Sequence, residues 1–555
     1  MAEPKARNAN QGVITPKVDL GDSKSGLTDA IQVINDAAQA AQTEKQMGFI
    51  QSLKLYRKGV FWSAAISGSL VMEGFDLILV SNFFGLQSFN ERYGTLQDDG
   101  TYDLSAAWQT GLTGGMYAGQ FIGLLLNGFI AERLGYRYTM LGAYALVVAF
   151  VFVSFFATNV VTLLVGQILL GMPFGMFQAL ASTYASDVCP PQVRPYLTTY
   201  INLCWVIGQI MCSGVLRGVV NWNSEWAFRI PFAIQWFWPI PLGVLAFFAP
   251  ESPWWLVRRG RLEDAKRSLL RLTNTEKHPD FDVDQAVAMI LYTNNMEKSV
   301  SAGTSYLDCF KGSNLRRTEI VCFAWATQIL SGSILGSYTA YFLEQAGMSD
   351  SLSFTLNIVT FVLGGIGTIS SWFFMSKYGR RSMYLGGLGI LFVILLVEGF
   401  LSLTGKKSGA EYAIGSLMVV WTFMYDCTIG PVCYSIIAEI PSSRLRLKSI
   451  VLARNTFTIV SIVALIITPL MLNPTAWNWG AKAAFFWAGS CFIALVWTFF
   501  RLPEPKGRSY AELDLLFENE VPARKFASTN TDGALFNQSE VKKVTSISEQ
   551  RIERV

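Results

Sequence analysis

The chain has 555 residues, of which 51% are hydrophobic and only 15% charged, and its formal net charge is +4. A soluble protein has about a quarter of its residues charged, so this composition excludes an ordinary soluble enzyme and places most of the chain in a lipid bilayer. The small positive charge is spread along the sequence and gives no support to nucleic-acid binding.

Residue types that commonly carry chemistry are scarce. The eight cysteines form no CxxC pair, so the sequence predicts neither a disulfide framework nor a metal site. The single histidine, His278, lies in a charged stretch where a solvated position is a simpler interpretation than catalysis. No phosphate-binding loop for ATP is present. We expect no cofactor and no enzymatic activity.

Apolar segments dominate the chain after a polar N-terminal tail. A bilayer core needs roughly 20 consecutive apolar residues for each helix, and such segments recur from Phe61 to Phe500. They predict an all-α membrane protein with twelve transmembrane helices in two six-helix bundles. The predicted spans are 60–84, 105–130, 138–157, 160–185, 197–218, 228–249, 318–342, 353–375, 383–403, 415–438, 450–472 and 482–501.

The polar segments divide the chain into domains. The stretch between the sixth and seventh predicted spans has helical spacing but is too polar to cross a bilayer. The predicted domains are an N-terminal tail (1–57), an N-terminal six-helix bundle (58–250), a linker with short helices (251–317), a C-terminal six-helix bundle (318–502) and a C-terminal tail (503–555).

Lysine and arginine in the short loops fall mostly on one side of this topology. Because positive loop residues mark the cytosolic side, we expect the linker and both termini to be cytosolic. The N-terminal segment also lacks the apolar core of a signal peptide.

Two loop patterns occur at corresponding places in the two halves. Glu132-Arg133-Leu-Gly135-Tyr-Arg137 matches Ser376-Lys377-Tyr-Gly379-Arg380-Arg381, and Asp187 to Arg194 matches Glu439 to Arg446. Acidic and basic residues in such loops can pair across a bundle interface in one conformation and separate in another; plain positive-inside anchoring is the alternative. The predicted cytosolic gate comprises Glu132, Arg133, Arg137, Asp187, Arg194, Glu251, Lys377, Arg380, Arg381, Glu439 and Arg444.

Signature motifs carry a family resemblance. Pro250 to Leu256 (PESPWWL) and Pro503 to Arg508 (PEPKGR) resemble the signatures of sugar porters of the major facilitator superfamily, and Met72 to Asp76, Ser442 to Arg446, Leu452 to Thr456 and Val521 to Phe526 resemble fungal maltose and general α-glucoside permeases. The resemblance implies proton-coupled import of an α-glucoside such as maltose across the plasma membrane by alternating access.

Ionisable groups inside predicted spans are the first candidates for function, because a charge at the bilayer centre is costly unless it faces a cavity or a partner. They are Glu73 and Asp76 in the first span and Arg454 in the eleventh. The two acids are three residues apart and share a helical face. A structural ion pair with Arg454 is one interpretation; by resemblance, the acids couple protons and Arg454 is their charge partner.

The resemblance also implies sugar contacts from Asn202, Gln328 and Tyr434, with Gln235 as a weaker candidate. For any single amide inside the membrane, helix-to-helix hydrogen bonding is an equal alternative. The chain departs from its relatives at Gln120, where yeast-type α-glucoside permeases tend to have a glutamate, and at Ile334, where monosaccharide porters have an asparagine. The residue at Ile334 leads us to expect a different or larger sugar than a monosaccharide. Gln120 removes one possible proton carrier, so the sequence supports proton coupling less firmly than it supports transport.

Other functions remain open at the level of sequence. One alternative is a facilitator or exporter of another sugar, polyol or metabolite, because the fold does not specify the cargo; a second is a sugar-sensing receptor of transporter fold. The polar tails carry lysines that could accept ubiquitin from its cytosolic machinery. The expected partners are therefore an α-glucoside, protons, the lipid bilayer and the ubiquitin machinery.

Overall fold

The computed structural model describes residues 36, 39, 47–97, 102–190, 192–275, 281–301, 305–345, 348–404, 408–442, 445–473, 476–506, 508, 513 and 516–529. His278, Arg444 and most of both tails lie outside the described residues. Within these ranges the regular secondary structure is helical, apart from two antiparallel two-residue strands, Thr95–Leu96 and Tyr102–Asp103. In lipid, helices satisfy every backbone hydrogen bond internally, and this physical constraint dictates the architecture.

The N-terminal half contains six membrane-spanning segments. A short helix, Phe49–Leu55, precedes the first span, and the helix Gln87–Tyr93 follows it. The spans are built from Arg57–Ser67 with Ser69–Phe83, then Ala106–Leu134, Tyr136–Phe155, Val160–Val188, Arg194–Val219, and Trp226–Ile234 with Pro239–Phe248. Each follows a predicted segment to within a few residues.

The C-terminal half repeats this arrangement. Its spans are Gly312–Gln328 with Ile334–Ser337 and Thr339–Gln345, then Asp350–Tyr378, Arg380–Ser402, Ser408–Cys427 with Ile429–Glu439, Arg446–Leu472, and Ala483–Arg501. Eleven of the helical segments in the described residues are long and apolar enough to cross a membrane. The second span, Ala106–Leu134, has the length but contains many glycines and amides.

The sixth, seventh and tenth spans are interrupted. The seventh passes through a π-helical turn, Ile329–Ser333, in which Gly332 has a φ of 93°. The tenth breaks at Thr428, and the sixth breaks between Ile234 and Pro239. Interrupted helices free backbone and side-chain polar groups at membrane depth, where they can face a binding site.

The described part of the linker includes three α-helices that pack against the N-terminal bundle, Pro253–Arg258, Leu262–Leu272 and Val283–Ser301. We call this end of the molecule the linker face and the opposite end the far face. The C-terminal segment 516–529 includes a short 3-10 helix, Ala523–Lys525. It is fixed beneath the seventh span, because Arg316 Nη1 donates a hydrogen bond of 2.8 Å to the Val521 carbonyl.

The two bundles share a buried apolar core at the far face, whereas the linker half of the N-terminal bundle belongs to a separate core. Side chains from the far half of the N-terminal bundle, such as Phe84 and Phe89, share one buried apolar core with the C-terminal bundle. Side chains from its linker half, such as Tyr184 and Leu197, belong to a second core shared with the linker helices. The structure is therefore closed at the far face.

Glycines permit close packing beside the centre of the molecule. A Cβ on Gly119 would lie 2.0 Å from the Ile168 carbonyl oxygen of the fourth span. A Cβ on Gly74 would lie 2.3 Å from the Trp205 carbonyl oxygen of the fifth span. These approaches place Glu73 and Gln120, each next to one of the glycines, in the same central region.

Candidate functional site

A central cavity lies between the two bundles, with about 1100 Å³ of atom-free space including its opening. The lining combines amides, hydroxyls and aromatic rings with three ionisable side chains, Glu73, Asp426 and Arg454. Such a surface suits a polar solute that also has apolar faces.

A bridge of hydrogen bonds joins Glu73 to Arg454 through a glutamine. Arg454 Nη2 of the eleventh span donates to Gln178 Oε1 of the fourth span, and Gln178 Nε2 donates in turn to Glu73 Oε1. Gln120 Nε2 also donates to the same carboxylate oxygen, at 3.3 Å. The acid and the arginine belong to different bundles, so the bridge links the bundles across the cavity.

Aromatic rings surround the arginine. The Arg454 guanidinium carbon lies 4.7 Å from the ring centres of both Trp325 and Phe457. The Trp325 ring meets the edge of Tyr434 at 5.2 Å between centres. Cation–π contacts of this kind stabilise a desolvated charge by up to about 2 kcal/mol. The rings hold Arg454 in place while its hydrogen-bonding atoms face the cavity.

Asp76 has a separate environment. Gln235 Nε2 of the sixth span donates a hydrogen bond of 2.7 Å to Asp76 Oδ1. Asp76 lines a smaller adjacent cavity of about 310 Å³ of atom-free space, together with Thr113, Gln167 and Tyr338. Among the described residues, neither Asp76 Oδ2 nor the Gln167 amide has a hydrogen-bond partner. The small cavity therefore contains buried polar atoms that could form further hydrogen bonds.

The structure brings three of the four expected sugar contacts together. Asn202, Gln328 and Tyr434 line the central cavity, whereas Gln235 bonds to Asp76 and does not line it. Gln328 lies just before the seventh-span break and donates to the Gly430 carbonyl at 3.2 Å. Ile334, the departure noted in the sequence, also lines the cavity.

A family model described as "Sugar (and other) transporter" matches residues 61–517. A general alpha-glucoside permease of Saccharomyces cerevisiae is 41% identical over 525 residues, covering 93% of this chain and 85% of that relative. A maltose permease of the same yeast is 41% identical over 507 residues, covering 90% and 82%. The chain belongs to the sugar transporter family.

Solved structures agree on the fold of this sugar transporter. A partially occluded inward-open xylose transporter from E. coli matches with a TM-score of 0.65 at 18% identity, covering 82% of this chain and 99% of that one. A proton:xylose symporter bound to 6-bromo-6-deoxy-D-glucose matches with a TM-score of 0.66 at 20% identity, covering 83% and 100%. The prediction of a major facilitator fold with two six-helix bundles is confirmed.

In the N-terminal half of the transporter, expected gate residues cap helix ends. The Glu251 carboxylate accepts hydrogen bonds from the backbone N–H groups of Tyr136 (3.0 Å), Arg137 (3.2 Å) and Ser252 (3.1 Å). It thereby caps the N-terminus of the third span. Asp187 Oδ2 accepts a hydrogen bond of 2.6 Å from Ser252 Oγ.

The C-terminal half of the transporter has a matching arrangement. Glu504 accepts hydrogen bonds from the backbone N–H groups of Arg380 (2.9 Å) and Arg381 (3.0 Å), at the start of the ninth span. The Arg380 side chain also pairs with Glu439 at 2.7 Å. Sequence reasoning placed Glu504 in a signature motif but not among the gate residues. Its position in the second half corresponds to that of Glu251 in the first, and this correspondence could have identified it.

The remaining gate residues lie at the linker face. Arg133 is in the last turn of the second span, and Arg194 begins the fifth. The carbonyl of Glu132 accepts from Trp255 Nε1 at 3.0 Å, and that of Lys377 accepts from Lys506 Nζ at 2.9 Å. The gate contacts described above for both halves each stay within one half of the chain. Arg444 lies outside the described residues.

The sequence reasoning missed several cavity residues, among them Gln178 and Asp426. Gln178 was overlooked because a lone amide inside a long apolar span has no distinguishing pattern. Asp426 was overlooked although it is an ionisable residue within the predicted tenth span, next to the motif Gly430-Pro431-Val432-Cys433-Tyr434. The rule that selected Glu73 and Asp76 would have found it.

Proposed function

We propose that this chain imports an α-glucoside of maltose type across the plasma membrane, driven by protons, through alternating access of its two bundles. Both termini and the linker face are then cytosolic, and the structure is a cytosol-facing state. We assign the domains as predicted, with tails 1–57 and 503–555, bundles 58–250 and 318–502, and linker 251–317. The protein acts as a carrier and catalyses no chemical conversion of its sugar.

The chemistry of the central cavity carries this proposal. A disaccharide presents hydroxyl groups that both donate and accept hydrogen bonds, and apolar ring faces that pack on aromatic side chains. Asn202, Gln328 and Tyr434 supply both kinds of contact from both bundles. The printed names of relatives at 41% identity, a general alpha-glucoside permease and a maltose permease, favour an α-glucoside as the solute.

Glu73, Asp76 and Arg454 are the proposed proton-coupling groups. With Glu73 ionised, its negative charge orients the Gln178 amide, whose oxygen then accepts from Arg454. This bridge restrains movement between the bundles. Protonation of Glu73 removes the charge that orients the amide and weakens the bridge, so that the bundles can reorient. Proton occupancy is thereby linked to the conformational change.

Asp76 is the second proposed proton site. Its carboxylate has one bond, from Gln235, and faces the small cavity with Gln167. A neutral acid is more easily accommodated there than a charge. Because this cavity adjoins the central one through Leu77 and Tyr117, a proton on Asp76 can respond to occupancy of the sugar site.

The expected gate residues complete the cycle. We propose that the charged groups at the linker face meet across the bundles when the cytosolic side closes; here, for example, Arg380 pairs with Glu439 within the C-terminal half. The capping carboxylates Glu251 and Glu504 hold the third and ninth spans in register with the linker and the C-terminal segment. Lysines of the cytosolic tails are proposed acceptors for ubiquitin, which would remove the carrier from the membrane.

Uptake of a labelled sugar panel by a transporter-null yeast strain expressing the chain tests the proposal. We expect saturable uptake of maltose or another α-glucoside, with alkalinisation of the medium on sugar addition. Uptake that equilibrates without proton movement would identify a facilitator. Sugar binding with no flux would identify a receptor, and efflux without uptake an exporter.

One observation favours the facilitator as the second candidate. Gln120 donates to Glu73 Oε1 at 3.3 Å, so the position contributes a neutral amide to the site. An amide cannot carry a proton across the membrane. Replacement by glutamate, Gln120→Glu, would then add proton coupling to a facilitator, whereas a symporter already accumulates sugar without it.

A further inference from the structure

A further cavity lies at the linker face, where the third and sixth spans meet the linker helices. It has about 750 Å³ of atom-free space including its opening, and it shares no lining residue with the central cavity. Its lining contains four arginines but only two carboxylates, and these charged residues are Arg137, Arg261, Arg267, Arg271, Glu251 and Asp264. The excess of positive charge in an enclosed space attracts anions.

Both carboxylates of this cavity already have partners. One of them accepts the three backbone N–H groups at the start of the third span. The other, Asp264, pairs with Arg261 at 2.8 Å and lies 3.7 Å from Arg267. In the part of the chain that the structure describes, no ion pair involves Arg137 or Arg271. The charges of these two arginines are therefore not neutralised by a neighbouring carboxylate.

Neutral groups hold Arg137 and Arg271 in place. The Arg137 guanidinium carbon lies 4.8 Å from the ring centre of Phe247 and 5.7 Å from that of Tyr138. Its Nε is buried and has no hydrogen-bond partner among the described residues. Arg271 Nη2 donates to the carbonyl of Phe248. Both guanidinium groups thus keep their charge, and their planar forks match the oxygens of a phosphate group.

Exposed apolar side chains border the same cavity. Leu134 and Tyr138 belong to its lining, and Phe247 and Phe248 end the second helix of the sixth span. Each of the four side chains is more than half exposed. On a membrane protein such side chains contact lipid, and aromatic residues concentrate at the level of the headgroups. The cavity therefore lies where a lipid headgroup joins its acyl chains.

We propose that this cavity binds the phosphate-bearing headgroup of an anionic membrane lipid. Arg137, Arg267 and Arg271 contact the phosphate oxygens, and the acyl chains lie along the exposed apolar side chains. The bound lipid joins the third and sixth spans to the linker helix Leu262–Leu272. The inference rests on the proposed function for orientation alone, because a cytosolic linker face meets the leaflet that carries most anionic lipids.

A soluble phosphate ester presents the same oxygens to the arginines. The exposed apolar side chains favour the lipid, because acyl chains cover them and a soluble anion does not. Glycerol 3-phosphate is the headgroup of phosphatidic acid without its acyl chains. Comparing these two compounds therefore distinguishes a lipid site from a site for a soluble phosphate ester.

Lys266 offers a matched control. It belongs to the same linker helix as Arg267 and Arg271, but it does not line the cavity and pairs with Asp284 at 2.6 Å. Arg267 and Arg271 are four residues apart and share a helical face. Lys266→Gln thus removes one positive charge from the helix without altering the cavity. Arg137 is left unchanged, because it is also a proposed gate residue.

The experiment measures binding to the purified full chain in detergent by native mass spectrometry. The probes are phosphatidic acid, phosphatidylcholine with the same acyl chains, and glycerol 3-phosphate. Loss of a hydrogen bond to a charged group weakens binding about tenfold to a hundredfold, so we expect the Kd of phosphatidic acid to rise at least tenfold in Arg271→Gln. We expect a rise in the same direction in Arg267→Gln and no more than about a twofold change in Lys266→Gln. The parent should bind phosphatidic acid more tightly than either other probe.

Several results would overturn the inference. Equal binding of phosphatidic acid and phosphatidylcholine by the parent excludes an anion site. Equal weakening in Arg271→Gln and Lys266→Gln means that surface charge alone attracts the lipid. Glycerol 3-phosphate that binds as tightly as phosphatidic acid assigns the cavity to a soluble phosphate ester instead.

A second variant keeps the test decisive if Arg271→Gln does not fold. Arg271→Lys retains the charge but loses the planar fork, so the Kd of phosphatidic acid should still rise. An unchanged Kd in both Arg271→Lys and Arg267→Gln would exclude contact with the phosphate. The titration contains no sugar, so its failure counts against the lipid site alone and leaves the proposed transport unaffected.

Discussion

At the scale of single residues, Gln178 changes the chemistry of the proposed proton site. A direct Glu73–Arg454 ion pair would be hard to open in a low-dielectric interior, whereas an intervening amide weakens the attraction and can rotate. The amide donates to one charge and accepts from the other. The acid and the arginine can therefore communicate without locking the bundles together.

Replacing this amide should uncouple transport. In Gln178→Leu the bridge is lost while Glu73 and Arg454 remain, so we expect accumulation against a gradient to fall at least tenfold with exchange of internal for external sugar retained. Proteoliposome uptake with an imposed pH gradient measures both. Gln209→Leu is the control, because Gln209 lines the same cavity and, in the described part of the chain, bonds to neither charge. Equal loss of accumulation in the two variants would contradict the relay.

Neutralising the two acids of the first span should affect transport in different ways. Asp76→Asn keeps the shape of the residue and its place beside Gln235 but cannot take up a proton, so we expect loss of accumulation with exchange retained. Glu73→Gln should also weaken the link to Arg454 and lower the reorientation rate. The measurement is flux in proteoliposomes under an imposed pH gradient. Concentrative uptake by the double variant Glu73→Gln/Asp76→Asn would remove both residues from the mechanism.

Residue types inside apolar segments predicted part of this site. Glu73, Asp76 and Arg454 could be selected from the sequence because charges in spans are costly, and the family motifs implied Asn202, Gln328 and Tyr434. Which of these side chains bond to each other could not be predicted, because the partners depend on the rotation of each helix and on the close packing at Gly74 and Gly119. Asp76 therefore bonds to Gln235, which had been expected to contact sugar.

At the scale of helices, the two halves use the same device at the starts of the third and ninth spans. A glycine with positive φ, Gly135 at 89° or Gly379 at 83°, ends one helix and leads into the next. A carboxylate from a later signature motif, Glu251 or Glu504, then accepts from the exposed backbone N–H groups. The capped turn therefore holds the start of the helix in place and also anchors the distant segment that supplies the carboxylate.

Gly379→Ala should be strongly destabilising. An alanine in the left-handed region costs about 1–2 kcal/mol, and its Cβ would lie 2.6 Å from Glu504 Oε2. We expect the thermal unfolding temperature in detergent to drop by several degrees. Gly386→Ala is the control, since Gly386 lies within the helix that Gly379 leads into and has nothing within 4 Å of the added Cβ; alanine there should be neutral or stabilising. Similar melting of the two variants would refute the capping argument.

The Glu251 cap should respond to pH. Burial raises the pKa of Glu251 above its usual range, although three backbone N–H groups favour the ionised form. The folded protein therefore holds this proton more tightly than the unfolded chain. The contribution of Glu251 to stability is greatest below its ordinary pKa and decreases as pH rises through the raised value. Relative to Glu251→Gln, the parent should lose stability from pH 4 to pH 7 in detergent unfolding; a parallel pair of curves would contradict this.

Helix interruptions are the elements that sequence patterns described least well. The seventh span was predicted as 318–342, but the structure starts its helix at Gly312 and breaks it in the turn Ile329–Ser333. Hydropathy averages over a break, because the residues on both sides remain apolar. The break turns on Gly332, whose positive φ depends on packing against Leu395 and Trp487. Only tertiary contacts decide which glycine of an apolar segment bends.

For the whole molecule, span number and fold class followed from the sequence, because lipid allows few alternatives to a helix of about 20 residues. The sequence did not predict at which face the two bundles are closed. The closure at the far face depends on polar contacts between residues far apart in sequence, such as Asn357 Nδ2 with Ser213 Oγ at 3.1 Å and Tyr338 OH with Thr113 Oγ1 at 3.2 Å. No local pattern marks these residues as partners.

These contacts should set the balance between the two states. Each net hydrogen bond contributes about 1 kcal/mol, so the double variant Asn357→Ala/Tyr338→Phe should shift the equilibrium toward the far-open state about thirtyfold. Spin labels at Gln87→Cys and Lys482→Cys report the far-face distance, and labels at Arg267→Cys and Lys506→Cys report the linker face. Background labelling should be low, because seven of the native cysteines are buried and only Cys322 is half-buried.

We expect the far-face distance to lengthen and the linker-face distance to shorten in the double variant, since the bundles rock about a central site. Thr360→Ala is the matched control, because the Thr360 hydroxyl bonds within its own helix to the Leu356 carbonyl at 2.8 Å. Its removal breaks no contact between the bundles and should leave both distances unchanged. Lengthening at the far face without shortening at the linker face would mean that the two ends open independently, which alternating access does not allow.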